Sequence, residues 1–280
     1  MMVRFGVFVF LFVVGSLCQE TEDLFDYVCV CNRNEGTVSI INTYNDEVVY
    51  NLNASKYSVG PIPAIPMYCN YYENSNGKIL TMGHRGAINQ TGHLVNGAVY
   101  FFDVENDFAF IRSVEVGFGV FHHWVNTEIQ QLWVVCDGAL NSSSIPLTES
   151  EVAVWIFNLT TYEFLAKIEF PSDLYQLGKN SPATFHDLVI ENNGEWAIVT
   201  TYNMPGHNDF AIKYSTTTFE EIGRVAVGSL AHATWSPETQ TLYIISQNSL
   251  LYSIQVVNVT DMSLITAIPG SAGAHMMVGP

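Results

Sequence analysis

The sequence predicts an all-β protein, and two observations support this fold class. Val, Ile, Thr, Tyr, Phe and Trp dominate short runs that are cut by Gly, Asn, Asp and Ser, and helical periodicity is nearly absent. One pattern also recurs without gaps, in which ten residues separate a His from the first apolar residue of the next predicted strand. The three copies run from His122 to Leu132, from His186 to Trp196 and from His232 to Leu242.

Each copy predicts a strand, a tight turn and a second strand, and two further predicted strands follow it. A fourth and weaker copy has Cys69 in place of the His and reaches Ile79, again ten residues on. Four strands make one blade of a β-propeller. The sequence therefore predicts a propeller with four complete internal blades.

The two ends of the chain predict a fifth, composite blade. Residues 27–32, 37–41 and 47–50 read as three strands of a blade that lacks its first strand, and residues 274–278, which contain His275, read as a first strand alone. We expect these pieces to pair, so that strands from both termini close the ring and leave no exposed sheet edge. A truncated seven-bladed chain is the alternative.

The first 18 residues predict a signal peptide, and residues 19–280 a single propeller domain. Arg4 precedes an apolar run from Phe5 to Val14 that is too short to span a bilayer. Five N-x-S/T sequons follow, which favours a secreted, extracellular glycoprotein without a membrane span. They lie at Asn53, Asn89, Asn141, Asn158 and Asn258.

The net charge of −17 excludes nucleic acid as a partner, because phosphate contacts need Lys and Arg. Four cysteines remain after Cys18 leaves with the signal peptide. In an oxidising compartment they predict two disulfides, with three possible pairings. Cys29 and Cys31 lie two apart on one predicted strand and face the same side, so we do not expect them to bond to each other.

Two segments resemble a known family. Residues 27–32 (YVCVCN) followed by residues 37–42 (TVSIIN) look like the YVTN-type β-propeller repeat, and residues 231–237 (AHATWSP) look like the entry of such a repeat. The resemblance implies the propeller fold and no single activity. In such repeats a His often stands at this position without a metal.

The candidate site is a ring of side chains at one register of successive blades: His122, His186, His232, His275 and Cys69. Neutral imidazoles are common ligands of transition metals, which predicts a divalent Cu, Zn or Fe ion on the axis, with His123 and Asp187 as supporting groups. Two alternatives stay open: the His side chains hydrogen-bond backbone between blades, or Cys69 is half of a disulfide.

Three other His residues, His84, His93 and His207, fall in predicted insertions after second strands, where exposed loop positions are expected. Two functions follow from the whole pattern. The first is a metal-binding propeller, with or without catalysis. The second is a non-catalytic extracellular protein that binds a small molecule, a glycan or a protein partner. No nucleophile elbow, P-loop, dinucleotide fingerprint or HExxH motif occurs, and whether the protein is an enzyme stays open.

Overall fold

The computed structural model describes residues 27–269, apart from residues 33–35, 43–44, 54–55, 57–65, 89–93, 139–151, 178–182, 203, 205–208, 229–230 and 249–250. The predicted signal peptide, His93, His207, His275 and the predicted closing strand at 274–278 lie outside the described residues.

The described residues form five antiparallel sheets, as an all-β protein requires. Sheet 1 has three strands: β1 (Tyr27–Asn32), β2 (Thr37–Asn42) and β3 (Glu47–Asn53). Sheet 2 contains β4 (Pro66–Asn74), β5 (Gly77–His84), β8 (Ala98–Asp103) and β9 (Ala109–Glu115), with the hairpin β6 (Ala87–Ile88) and β7 (Leu94–Val95) inserted between β5 and β8.

The other three sheets have four strands each, in chain order. Sheet 3 contains β10 (Val120–Asn126), β11 (Gln131–Asp137), β12 (Val152–Asn158) and β13 (Phe164–Glu169). A short helix, α1 (Ser172–Leu177), leads to sheet 4, which contains β14 (Thr184–Ile190), β15 (Trp196–Tyr202), β16 (Asp209–Ser215) and β17 (Glu221–Val227). Sheet 5 contains β18 (Ala231–Ser236), β19 (Thr241–Asn248), β20 (Leu251–Asn258) and β21 (Ser263–Pro269). The predicted four-stranded repeat is confirmed for these units.

The sheets pack face to face in chain order. The first strands β4, β10, β14 and β18 contact one another in this order, and β1 contacts β4. Four apolar core clusters fill the four spaces between consecutive sheets. The edge of the Trp196 ring, for example, meets the face of Trp235 across the space between sheets 4 and 5, with centroids 4.8 Å apart. Burial of apolar surface between sheets therefore holds the described part of the chain together.

The last strand of every sheet carries the same β-bulge. One large aliphatic residue is skipped by the pairing with the neighbouring strand, and the residue three positions earlier has a positive φ. The bulged residues are exposed and distort the outermost strand, which discourages pairing with another sheet edge. They are Val49, Ile111, Leu165, Ile222 and Ile265.

This bulge identifies which strand sheet 1 lacks. Because β3 carries it, β3 corresponds to the fourth strand of the other sheets, and β1 and β2 correspond to the second and third. Among the described residues, sheet 1 therefore lacks a first, innermost strand, as the sequence predicts.

Candidate functional site: a carboxylate between two histidines

The inner strands place their polar residues by a common register. Cys69 lies opposite Met82, and His232 lies opposite Ile245, each thirteen residues further along the chain. His122 follows the same rule with Val135. The predicted equivalence of Cys69, His122 and His232 therefore corresponds to a real structural position on β4, β10 and β18.

The same rule selects Asp187 on β14. Pairing shifts between Phe185 and Leu188, as it does near the start of β4 and β10, and the amide of Asp187 donates at 3.1 Å to the hydroxyl of Thr200, thirteen positions later. Asp187 thus takes the position that His122 and His232 occupy on their strands, and His186 precedes it. The constant spacing selected His186 because it ends at Trp196, which stands at the start of β15 where β11 has Gln131, one residue before the equivalent of Leu132.

Asp187 connects the three strands. Its Oδ1 lies 3.2 Å from Nδ1 of His122 on β10, and its Oδ2 lies 3.4 Å from Nδ1 of His232 on β18. Two amides also donate to the carboxylate: that of Leu188 to Oδ1 at 2.8 Å and that of Ala233 to Oδ2 at 2.9 Å. A buried carboxylate is tolerated here because each of its oxygens meets an amide donor and an imidazole nitrogen.

The electrostatics of this group follow from burial and from the neighbouring imidazoles. Burial by itself would raise the pKa of Asp187, but His122, His232 and the Ala233 amide outweigh it and hold that pKa well below its usual range. Burial lowers the pKa of His122, with His232 acting in the same direction and Asp187 against it. The pair therefore favours an ionised Asp187 beside a largely neutral His122 at neutral pH.

His186 and His232 face each other through their Nε2 atoms. The two nitrogens are 3.3 Å apart, and both side chains are buried. The ring of Phe121 stacks on His186 at 4.5 Å, and the ring of Tyr202 lies 5.1 Å from it. Because Asp187 occupies Nδ1 of His232, the Nε2 of that ring is directed to His186, and the aromatic side chains shield the pair from water.

The structure thus brings together three of the five predicted site residues: His122 and His232 flank Asp187, and His186 faces His232. Cys69 is placed differently. Its Sγ lies 2.9 Å from Sγ of Cys31 in the apolar core between sheets 1 and 2. His275 lies outside the described residues.

Two further histidines are buried in sheets 2 and 3. His123 accepts or donates a hydrogen bond at 2.9 Å through Nε2 to the Thr81 hydroxyl, and burial lowers its pKa to about 3. His84 was expected in an exposed loop, and that expectation is wrong. It is the last residue of β5, paired with Ala98 and 1% exposed, because the strand continues into the predicted insertion; burial lowers its pKa to about 4.

Sequence reasoning missed an ion pair at the end of β11. Arg85 donates through one Nη2 to both carboxylate oxygens of the fully buried Asp137, at 2.9 and 3.0 Å. Gly119, at φ +82°, packs its Cα against Asp137, where a Cβ would collide with the carboxylate. The sequence contains one indication of this pair: Arg85 and Asp137 both lie at the end of the second strand of a sheet, where a predicted insertion begins.

Within the described ranges between residues 27 and 269, no three His, Cys, Asp or Glu side chains form a complete metal-binding set. His186 and His232 supply two nitrogens, so a metal there needs donors beyond them. Over the same residues, no helix is long and apolar enough to cross a membrane.

No protein-family profile matches the sequence, and no curated protein matches it significantly. Many solved structures share its fold. The chain is similar to hydrazine synthase of Kuenenia stuttgartiensis, with 10% identity and a TM-score of 0.59 over 84% of this chain and 60% of that one. It is also similar to the Cps50 (Swd1) β-propeller domain of Myceliophteria thermophila, with 14% identity and a TM-score of 0.57 over 87% of this chain and 67% of that one.

A third similar structure is the dihydro-heme d1 dehydrogenase NirN, with 12% identity and a TM-score of 0.58 over 92% of this chain but only 47% of that one. The chain thus spans about half to two thirds of the length of these structures. At such low identity the likeness shows the fold and no activity. The repeated four-stranded sheets and these neighbours together show that the chain has a β-propeller fold.

Proposed function

We propose that this protein binds a divalent transition metal ion, Cu, Zn or Fe, between His186 and His232. One observation carries the proposal: their Nε2 atoms face each other 3.3 Å apart on the innermost strands of adjacent sheets. For metal–nitrogen bonds of about 2.05 Å, this separation corresponds to an angle of roughly 107° at the metal, close to tetrahedral.

Asp187 supports this function as a positioning residue. Histidine ligands of metals commonly direct their second nitrogen to a carboxylate, which fixes the tautomer and makes the imidazole a better ligand. Nδ1 of His232 meets Asp187 in this way, 3.4 Å from Oδ2. The low pKa of Asp187 keeps it ionised over the whole range in which an imidazole can bind metal.

The remaining coordination positions belong to His275, which we propose as a third ligand, and to water or a small molecule. Cys69 is not a metal ligand in this proposal, because its sulfur contacts Cys31. Open positions distinguish catalytic metal sites from structural ones, so this site would be able to bind a small molecule at the metal.

The wider setting is also part of the proposal. We propose a secreted and N-glycosylated protein of the YVTN-type repeat class, with five blades closed by pairing of residues 274–278 with β1. Sheet 1, which lacks an innermost strand among the described residues, supports this closure. A glycosidase that removes N-linked glycans should increase the electrophoretic mobility of the protein from a eukaryotic host.

The metal is tested on the full chain secreted from eukaryotic cells. Elemental analysis should find close to one equivalent of Cu, Zn or Fe, and a chelator should remove it. His186→Ala and His232→Ala should each lower the metal content at least tenfold, whereas the matched control His84→Ala, which removes another buried imidazole, should retain it.

Circular dichroism of each variant separates loss of the metal from loss of the fold. If the wild-type protein holds no metal as purified and takes up none of these ions at micromolar concentrations, the proposal is wrong. The His186–His232 contact is then a hydrogen bond between two imidazoles, and binding of an extracellular glycan or protein becomes the better hypothesis.

A further inference from the structure

Three cysteines that the metal proposal does not use lie at the junction of sheets 1 and 2. Cys31 on β1 and Cys69 on β4 are both buried, and their sulfurs are 2.9 Å apart. Cys29 packs against the same core cluster. Cys136 belongs to a different cluster, between sheets 2 and 3, where its thiol lies 3.5 Å from the carbonyl oxygen of Gly117.

The four cysteines that the structure describes are all thiols. We propose that Cys31 and Cys69 form a disulfide that cross-links sheet 1 to sheet 2, and that Cys29 and Cys136 stay reduced. A disulfide has its sulfurs about 2.05 Å apart, so the two atoms need to move together by only about 0.9 Å. The sequence predicts two disulfides with three possible pairings. The proposal replaces them with one disulfide, between Cys31 and Cys69.

The competing partners of Cys69 are less favourable. Cys29 lies on the same strand as Cys31 but two residues further from the turn: it pairs with Ile40, whereas Cys31 pairs with Val38. A bond between Cys29 and Cys31 would join residues two apart on a regular strand, whose side chains stand parallel and too far apart. Cys136 would have to leave its own core cluster.

A bond at this position would stabilise the attachment of sheet 1 to sheet 2. Sheet 1 has three strands among the described residues, so it meets sheet 2 through β1 and β4 without a first strand of its own. A bond from Cys31 to Cys69 would close a loop of 38 residues that contains the rest of sheet 1. Closing such a loop restricts the unfolded chain and stabilises the folded one.

The chemistry balances as a thiol–disulfide exchange. The two thiols together lose two protons and two electrons, and a disulfide oxidant such as oxidised glutathione gains them and becomes two thiols. The Cys31 contact and burial raise the pKa of Cys69, and burial raises that of Cys29 to about 12. Because only thiolates react, the bond should form while the chain folds and resist reductants once it is buried.

The test uses the full chain, refolded in a buffer of oxidised and reduced glutathione so that the outcome does not depend on a secretory route. Free thiols are alkylated under denaturing conditions, and peptides are mapped without reduction. Cys29 and Cys31 share one peptide, so Cys29→Ser is mapped beside the wild type. Both should give a peptide of β1 linked to the peptide of Cys69, with Cys136 alkylated.

Cys31→Ser should lose this link, and Cys136→Ser, the matched control, should keep it. Reductant present during heating should lower the Tm of the wild type by roughly 5–10 °C and leave that of Cys31→Ser unchanged. The proposal is overturned if Cys69 is fully alkylated after oxidative refolding, or if it is linked to Cys29 or Cys136. Since the wild type supplies the link to Cys69 and the Tm shift, and Cys29→Ser assigns that link to Cys31, failure of Cys31→Ser or Cys136→Ser to fold does not affect this decision.

Discussion

Cys69 and His232 occupy the same register on the innermost strands of two different sheets, and the structure gives them opposite surroundings. Cys69 meets a second thiol in an apolar core without a neighbouring charge. His232 meets the carboxylate of Asp187 and the imidazole of His186. The repeat therefore determines where an inner-strand side chain lies, and the adjacent strand determines what that side chain can do.

The largest effect is expected from Asp187→Ala, which removes the centre of the histidine group. It leaves the amides of Leu188 and Ala233 without their acceptor and removes the charge beside His122 and His232. Breaking such a buried group should lower the free energy of unfolding by about 3–5 kcal/mol. Urea denaturation at pH 7 measures the change, and the isosteric Asp187→Asn should lose less. A loss below about 1 kcal/mol would show that Asp187 does not hold the three strands together.

A His placed at the position of Cys69 tests the comparison directly. Cys69→His places an imidazole in an apolar core with no carboxylate, so both its volume and its unpaired nitrogens are unfavourable. We expect a loss of about 2–3 kcal/mol, measured by urea denaturation in the presence of reductant so that no cross-link contributes. Cys69→Ala, the control, should lose less. If Cys69→His were as stable as the wild type, the surroundings would not determine which residue this register tolerates.

Acid should lower the stability of the folded protein through its buried histidines, and the contact between Cys31 and Cys69 should not contribute to this loss. The folded pKa values of His84 and His123 are lowered to about 4 and about 3, so between these values and about 6.5 the unfolded chain binds protons that the folded chain does not. Stability is therefore full above about pH 6.5 and falls as the pH drops.

Linkage gives a loss of about 2 kcal/mol for His84 alone between pH 7.5 and pH 5. Urea midpoints over this range measure it. His84→Phe should flatten the dependence, and Cys69→Ser should shift the curve without changing its slope. An equal slope in His84→Phe and the wild type would mean that His84 is not buried in its neutral form.

The smallest change in the free energy of unfolding is expected on the outermost strands, where the repeated bulged residues are exposed aliphatic side chains. Leu165→Thr changes a bulged residue that is 41% exposed. The free energy of unfolding should stay within about 0.5 kcal/mol, measured under the same conditions. A loss above about 1 kcal/mol would reveal a contact for this ring of exposed aliphatic residues.

Much of the fold was predictable because it repeats. A strand, turn and strand at constant spacing predicted the four complete sheets, and the three-stranded sheet 1 followed from the same pattern at residues 27–50. The outer bulges have a recurring sequence that was not recognised: a large aliphatic residue follows three positions after the turn residue with positive φ, as at Asp46 and Val49.

The candidate site was only partly predictable. The common spacing selected His122, His186 and His232, which the structure does bring together. It gave Asp187 a supporting role at most, because the spacing was counted to the first apolar residue of the next strand, and Trp196 stands one position earlier in its strand than Leu132 does. The spacing also grouped Cys69 with the imidazoles, because it could not show which side chain of sheet 1 faces that position.

The sequence by itself determined the class of fold, the repeat and the set of residues on the innermost strands, because these depend on alternation and spacing along one chain. Only the tertiary structure decided which of those residues meet. Contacts between His186 and His232, or between Cys31 and Cys69, join residues 46 and 38 positions apart in the chain. Such contacts depend on how neighbouring sheets pack, which the local pattern does not record.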